Sequence, residues 1–224
     1  MLNSGYDVLL SINNLRRLMQ GILVTLQIAV VSVIVSVFLG MIYGLIMTTK
    51  NRFIYGLCRA YLEAFRIIPI LVWLFLLFFG GAYAFGTDLD GKLVSIIVFT
   101  MWGTAEMGDI VRGTVQSIPR HQWQSGEALG LTRNQLHRYV IIPQAVRRYV
   151  PAAINLVTRM IKTTSLVSFV GVSEVLRVGK QIIEFNMMKN PMAAFWIYAF
   201  IFFVYFLLCF PISKFSKRLE TRWA

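Results

Sequence analysis

The sequence predicts an all-α integral membrane protein of five transmembrane helices, N-terminus out and C-terminus in, with a long cytoplasmic connection between the third and fourth. Three observations lead there. Hydrophobic residues make up 57% of the 224, with a mean hydropathy of +0.67, well above the balance of a soluble domain. Three stretches, 22–47, 67–87 and 190–213, carry no charged residue, and each reaches the roughly 20 residues a helix needs to cross about 30 Å of hydrocarbon. Finally, most of the +12 net charge falls in segments flanking the apolar runs, where cytoplasmic loops collect Lys and Arg. That placement makes the charge a matter of topology and leaves no nucleic-acid partner to propose.

The elements follow in order within a single domain, 1–224. "INNLRRLMQGI" reads as an interfacial amphipathic helix leading into span 1, about 22–47. Its apolar run is too long for the h-region of a signal peptide and should remain a helix. Gly40 and Gly44 form a G-x-x-x-G pair there, which lets helix backbones approach. Span 2, about 62–86, contains Pro69, which removes a backbone donor and bends or breaks the helix. The outer turn "GTDLDGKL" almost spells a phosphate-binding loop. Leu93 stands where the hydroxyl should be, however, and no strand precedes it.

Span 3, about 93–114, runs into Glu106, Asp109 and Arg112. Span 4, about 150–175, carries Arg159, Lys162 and Glu174, and Pro151 should perturb its start. Charged groups at depth face protein or a water-filled cavity, so both segments are expected inside a bundle. Span 5 covers about 191–213. The basic segments Lys50 to Arg59, Arg120 to Arg148 and Lys214 to Arg222 then share one side, the cytoplasmic one. Cys58 and Cys209 have no motif spacing.

The connection, about 117–145, is the unusual part. Ser117 and Pro119 should end span 3, and "QWQSGEAL" forms a short helix with Gly130 one step past its end, where a left-handed cap is expected. Thr132 then caps a second helix, "RNQLHRYVII", that stops at Pro143. Trp123, Leu129, Leu131, Leu136 and Val140 are available to pack. A surface segment of this length and apolarity reads as a docking element.

Those residues resemble the cytoplasmic signature loop of the permease subunits of bacterial ABC importers, in which E-A-A-x-x-x-G precedes an I-x-L-P element. Counted back from Gly130, the E-A-A positions fall on Gln124, Ser125 and Gly126, and Ile142 precedes Pro143 where Leu is usual. "YLEAFRIIPILVWLFLLFFG", "AEMGDIVRGTVQSIPRHQW" and "MIKTTSLVSFVGVSEVLR" are similar to spans 2, 3 and 4 of the polar amino acid branch, so the likeness covers nearly the whole chain.

The resemblance implies a type I importer subunit that pairs with a second permease, identical or homologous. It docks a cytoplasmic ABC ATPase and receives a polar amino acid from an extracytoplasmic solute-binding protein, all in the bacterial inner membrane. ATP and Mg would be bound by the partner ATPase, with no cofactor, metal or catalytic residue in this subunit. The connection would hold the coupling helix, with Gln124, Ser125, Gly126, Ala128, Gly130 and Pro143 as coupling residues. In this reading Gln124 hydrogen-bonds into an ATPase groove without the desolvation cost of a carboxylate, and the small residues let the two backbones approach.

For the solute path the candidates are Glu106, Asp109, Arg159, Lys162, Thr163, Thr164 and Ser165. Glu106, Asp109 and Arg112 are spaced for pairing along one helix face, and structural ion pairing is the favoured reading. Arg159 and Lys162 either attract a solute carboxylate or pair with Glu174 or a partner's acid. Two other classes compete. A secondary amino acid transporter driven by an ion gradient would use Glu106 and Asp109 as ion carriers, but no inverted repeat supports it. A membrane enzyme would need His121 and His137 in a cluster with metal-ligand spacing, which the sequence lacks.

Overall fold

The computed structural model describes residues 5–86 and 88–223; Thr87, the ends of the 1–224 domain and the side chain of Phe85 lie outside the described residues. Every regular element among the described residues is helical, with no strand. In order it forms α1 (Tyr6–Leu10), α2 (Ile12–Ile46), α3 (Arg52–Ile67), α4 (Ile70–Phe75), a π-helical turn Leu76–Gly80, α5 (Gly81–Phe85) and α6 (Gly91–Gln116). There follow α7 (Arg120–Ala128), α8 (Arg133–Leu136), a π-helical turn His137–Ile141, α9 (Ile142–Thr163), a 3-10 run Thr164–Val170, α10 (Val175–Asn186) and α11 (Ala193–Trp223).

Among the described residues three helices, α2, α6 and α11, are long and apolar enough to cross a membrane, and the pair Arg52–Ile67 and Ile70–Ala84 makes a fourth if counted as one broken span. Pro69 produces that break as expected: Ile68 turns extended and donates its amide to Ala64 O at 3.1 Å, closing α3.

Several sequence expectations change. The interfacial helix before span 1 is not separate, because α2 runs unbroken from Ile12 and buries Leu18 completely. Pro143 does not stop its helix. The wide turn at His137–Ile141 feeds directly into α9, giving the proline ring space in the turn before it and a position where its missing N–H is tolerated. Pro151 likewise lies inside α9 without ending it. The helix expected to run to residue 175 ends instead at Thr163. Thr164, Ser165 and Ser168 donate their hydroxyls to the carbonyls of Ile161, Lys162 and Ser165, at 2.7, 3.0 and 2.8 Å. These i to i−3 bonds favour the tighter 3-10 winding, which closes at Gly171 with φ +87.

The backbone gathers into two compact units. One comprises Met1–Ser32, Ile70–Phe99 and Arg159–Pro211. Its core is Leu18, Val175, Val178, Ile182, Ile197 and Ile201, so α10 buries a face between parts of α2 and α11. Two glycines permit the contact: a β-carbon on Gly21 would lie 2.9 Å from Val175 Cα, and one on Gly179 2.5 Å from Ile201 Cδ1. In the turn before α6, Asp90 accepts the amide of Lys92 and the Lys92 ammonium donates to Gln27, an ordinary helix start.

The other unit comprises Val33–Pro69, Thr100–Thr158 and Ile212–Ala224. Here Gly40 and Gly44 set α2 against α6, where a β-carbon on Gly44 would come within 2.6 Å of Gly108 O. This is the close packing expected of the G-x-x-x-G pair. Tyr43 and Tyr61 donate to the carbonyls of Cys58 and Met101 at 2.6 and 2.7 Å, and their rings meet edge to face.

Candidate functional site

The connection after α6 is a built element. Pro119 opens α7, and its other end is a complete Schellman closure: Leu131 N donates to Gly126 O at 3.1 Å and Gly130 N to Glu127 O at 2.9 Å. Gly130 takes φ +76, the left-handed value this closure demands. Thr132 and Gln135 then form a reciprocal capping box that starts α8.

The apolar side chains sort into two sets. Ile118, Leu136 and Ile141 are buried together, with Trp123, Leu131, Val140 and Ala145 packed against them. Leu129 is 81% exposed at the turn. Gly126 is buried, and a β-carbon there would lie 2.3 Å from Leu136 Cδ1. It therefore makes room for Leu136 from within the element, and the sequence expectation that it opens the surface to another backbone is revised. Gln124, Ser125, Ala128 and Gly130 are exposed, and Pro143 is exposed in the first turn of α9.

Two links tie the element to its base. Arg148 Nη1 donates to both the carbonyl and the hydroxyl of Ser117 at 2.7 Å, and Gln144 donates its amide to Gln122 at 3.3 Å. His137 places its ring edge to face on Trp123, and its Nδ1 lies 2.8 Å from Arg133 O. These contacts join α7 and the residue that follows α6 to α9.

The charged residues of α6 are engaged. Asp109 accepts from Arg112 Nη2 at 2.6 Å and Nε at 3.0 Å, and also pairs with Arg66. Arg66 Nε lies 3.8 Å from Glu106, and Arg112 Nη1 donates to Gln116 at 2.7 Å. Structural pairing is thus the arrangement present. Its fourth member, Arg66, was missed from the sequence; the available signal was an arginine two residues before the Ile68–Pro69 break.

The remaining pathway candidates divide. Thr164 is 1% exposed. Thr163 and Ser165 are half-buried, and their hydroxyls turn to the carbonyls of Arg159 and Lys162. Arg159 and Lys162 are exposed. Glu174 is fully buried, and its two oxygens take the amides of Leu176 and Arg177 at 2.8 Å as the N-cap of α10. Helix α10 lies between the stretches read from sequence as spans 4 and 5.

The model of the family described as "Binding-protein-dependent transport system inner membrane component" matches residues 36–224. The chain is 31% identical over 202 residues to the L-cystine transport system permease protein TcyB of Bacillus subtilis (strain 168), covering 90% of this chain and 84% of that protein. It is 28% identical over 221 residues to the probable amino-acid ABC transporter permease protein YckA of the same organism, covering 98% and 94%. Its fold is similar to a chain in the crystal structure of an amino acid ABC transporter with histidines, with a TM-score of 0.83 and 25% identity over 96% and 98% of the two chains.

Proposed function

The chain belongs to the family of binding-protein-dependent transport system inner membrane components, among the amino acid ABC transporter permeases, and from that premise we propose that it is the transmembrane subunit of an ATP-driven importer of a polar amino acid. It works as one of two paired permeases in a bacterial inner membrane, taking solute from an external binding protein. A separate ABC ATPase binds ATP and Mg and supplies the energy.

In this reading the chain spans the bilayer five times, N-terminus out, with the basic segments 50–59, 120–148 and 214–222 in the cytoplasm. The observation that carries the coupling role is the closure of α7 on Gly130. It leaves Gln124, Ser125, Ala128 and the apolar Leu129 exposed on a base pinned by Arg148 and the Leu136 cluster. Such a knob offers a groove on the ATPase both hydrogen-bonding and apolar contact, and its stiffness passes the motion of that groove to α6 and α9. The exposed cations Arg159 and Lys162 would meet the solute carboxylate that every amino acid carries. The ion-gradient alternative is disfavoured because Arg66 and Arg112 already occupy the neighbourhood of Glu106 and Asp109.

The test is uptake of labelled glutamate, glutamine, arginine, histidine and cystine by the complex reconstituted with its ATPase and binding protein. The wild type is compared with Gly130→Asp. Aspartate tolerates the left-handed conformation better than most side chains, so the variant mainly adds charge to the docking turn. ATP-dependent uptake of one solute, lost in the variant while the chain stays folded, supports the reading. Uptake that persists without the ATPase and follows an ion gradient overturns it.

A further inference from the structure

The end of α11 leaves the hydrocarbon. The helix is 31 residues long, roughly 46 Å at 1.5 Å per residue, against about 30 Å of apolar bilayer. Its uncharged run ends at Ser213, and Lys214, Lys217, Arg218 and Arg222 follow. Ser216, roughly 35 Å along the helix from Ala193, therefore lies at the level of the lipid headgroups.

There α11 is fastened to α9 at two points. The buried Ser216 hydroxyl donates to Pro151 O at 2.9 Å, and Asn155 donates its amide to Glu220 at 3.1 Å. The paired residues are four apart on each helix, so successive turns hold the contact. Beside it lies a cavity of about 470 Å³ lined by Arg147, Arg148, Pro151, Ala152, Glu220 and Trp223.

We propose that this cavity binds the headgroup of an anionic glycerophospholipid. Arg147 is exposed, and Arg148 spends only Nη1 on Ser117. Guanidinium forks match phosphate oxygens better than any other side chain. Two arginines against one glutamate leave the lining one positive charge in excess, the complement of a phosphodiester, and the four cations after Ser213 add to its field. Glu220 is the one lining group that repels the anion, and the Asn155 amide engages its carboxylate. Trp223 supplies the amphipathic ring favoured at this depth. A basic recess at the membrane-water boundary suits a lipid phosphate better than a freely soluble anion.

The test uses the purified full-length chain in detergent, titrated with short-chain phosphatidylglycerol and with phosphatidylcholine of the same chains, bound lipid being counted by native mass spectrometry. Glycerol phosphate and free glutamine are the soluble arms. A basic residue near an anionic lipid surface contributes about a fivefold preference. Phosphatidylglycerol is therefore expected to bind at least about fivefold tighter than phosphatidylcholine, with Arg147→Gln erasing that margin and leaving the thermal midpoint unchanged. Arg147 bears the test because Arg148 also fastens Ser117; Trp223→Ala should weaken both lipids alike. Equal binding of the two lipids, a preference that survives Arg147→Gln, or displacement of lipid by glycerol phosphate or glutamine overturns the assignment.

Discussion

Leu136 rests on Gly126, its Cδ1 only 2.3 Å from where a β-carbon on that glycine would stand. The contact fixes the distance between α7 and α8, and it specifies a size relationship that mutation can test. Gly126→Val should cost about 1 to 3 kcal/mol by overpacking, read as a lower thermal midpoint of the purified chain. Adding Leu136→Ala should recover part of the loss, since the clash is with the tip of that side chain. Gly126→Val without a penalty would mean that Leu136 swings aside freely and the element is softer than described.

Gly130 poses a different question, because its φ of +76 is demanding although no atom lies within 4 Å of an added β-carbon. The cost of a side chain there is purely conformational. Gly130→Ala should destabilise by about 1 kcal/mol and Gly130→Asn by less, since asparagine visits the left-handed region readily. ATPase co-purification should follow the same order. Equal behaviour of Ala and Asn would show that the backbone of the turn is not what the partner reads.

The cluster of Arg66, Glu106, Asp109 and Arg112 predicts non-additive energetics. Glu106 and Asp109 have side chains 14% and 16% exposed, so removing Arg66 leaves carboxylates short of solvent and of one cation. Arg66→Ala should lower stability by about 1 to 3 kcal/mol, and Glu106→Gln in the same chain should return part of it. Arg66→Lys should fall between, because an ammonium cannot offer two separate forks to two acids. Thermal unfolding of the wild type, Arg66→Ala, Glu106→Gln and the double variant completes the cycle. Additive losses would mean that Arg66 and Glu106 do not interact.

What the sequence revealed tracks the range over which each signal acts. The long apolar helices α2, α6 and α11 were legible because a run of uncharged residues is a local property. So was the Gly130 closure, whose every bond falls within six residues. Helix α10 was not, since the charges of Arg177, Lys180 and Glu184 give its less buried side the look of a loop and one position of its buried stripe is Gly179. Nor was the Arg66–Asp109 pair, which joins residues 43 apart. The continuation through Pro143 escaped for a subtler reason. A proline forbids a regular preceding turn, yet a wide π turn satisfies it, and no residue in "HRYVI" announces that choice.

Glu174 is expected to be structural. It is fully buried and caps α10 with both oxygens, so Glu174→Ala should cost roughly 1 to 2 kcal/mol, more if burial leaves the two amides unmet. Glu174→Gln keeps one acceptor oxygen and should lose less. Amide hydrogen exchange at Leu176 and Arg177 would report the effect directly. Unchanged protection in Glu174→Ala would remove the capping role.

The solute path is tested most sharply by contrasting Lys162 with Thr164, two residues apart and oppositely placed. Lys162 is exposed, and with the exposed Arg159 one turn before it sets the positive field at the end of α9. Thr164 is 1% exposed and spends its hydroxyl on Ile161 O at 2.7 Å. If the field draws the solute carboxylate, Lys162→Ala should reduce uptake by about tenfold, about 1.4 kcal/mol, with ATPase assembly intact, and Lys162→Arg should restore most of it. Thr164→Val should leave the solute's apparent KM unchanged and appear only as a small shift in stability. The reverse pattern, with KM moved by Thr164→Val and untouched by Lys162→Ala, would place the path on the other side of α9 and make the two cations surface charges with no part in transport.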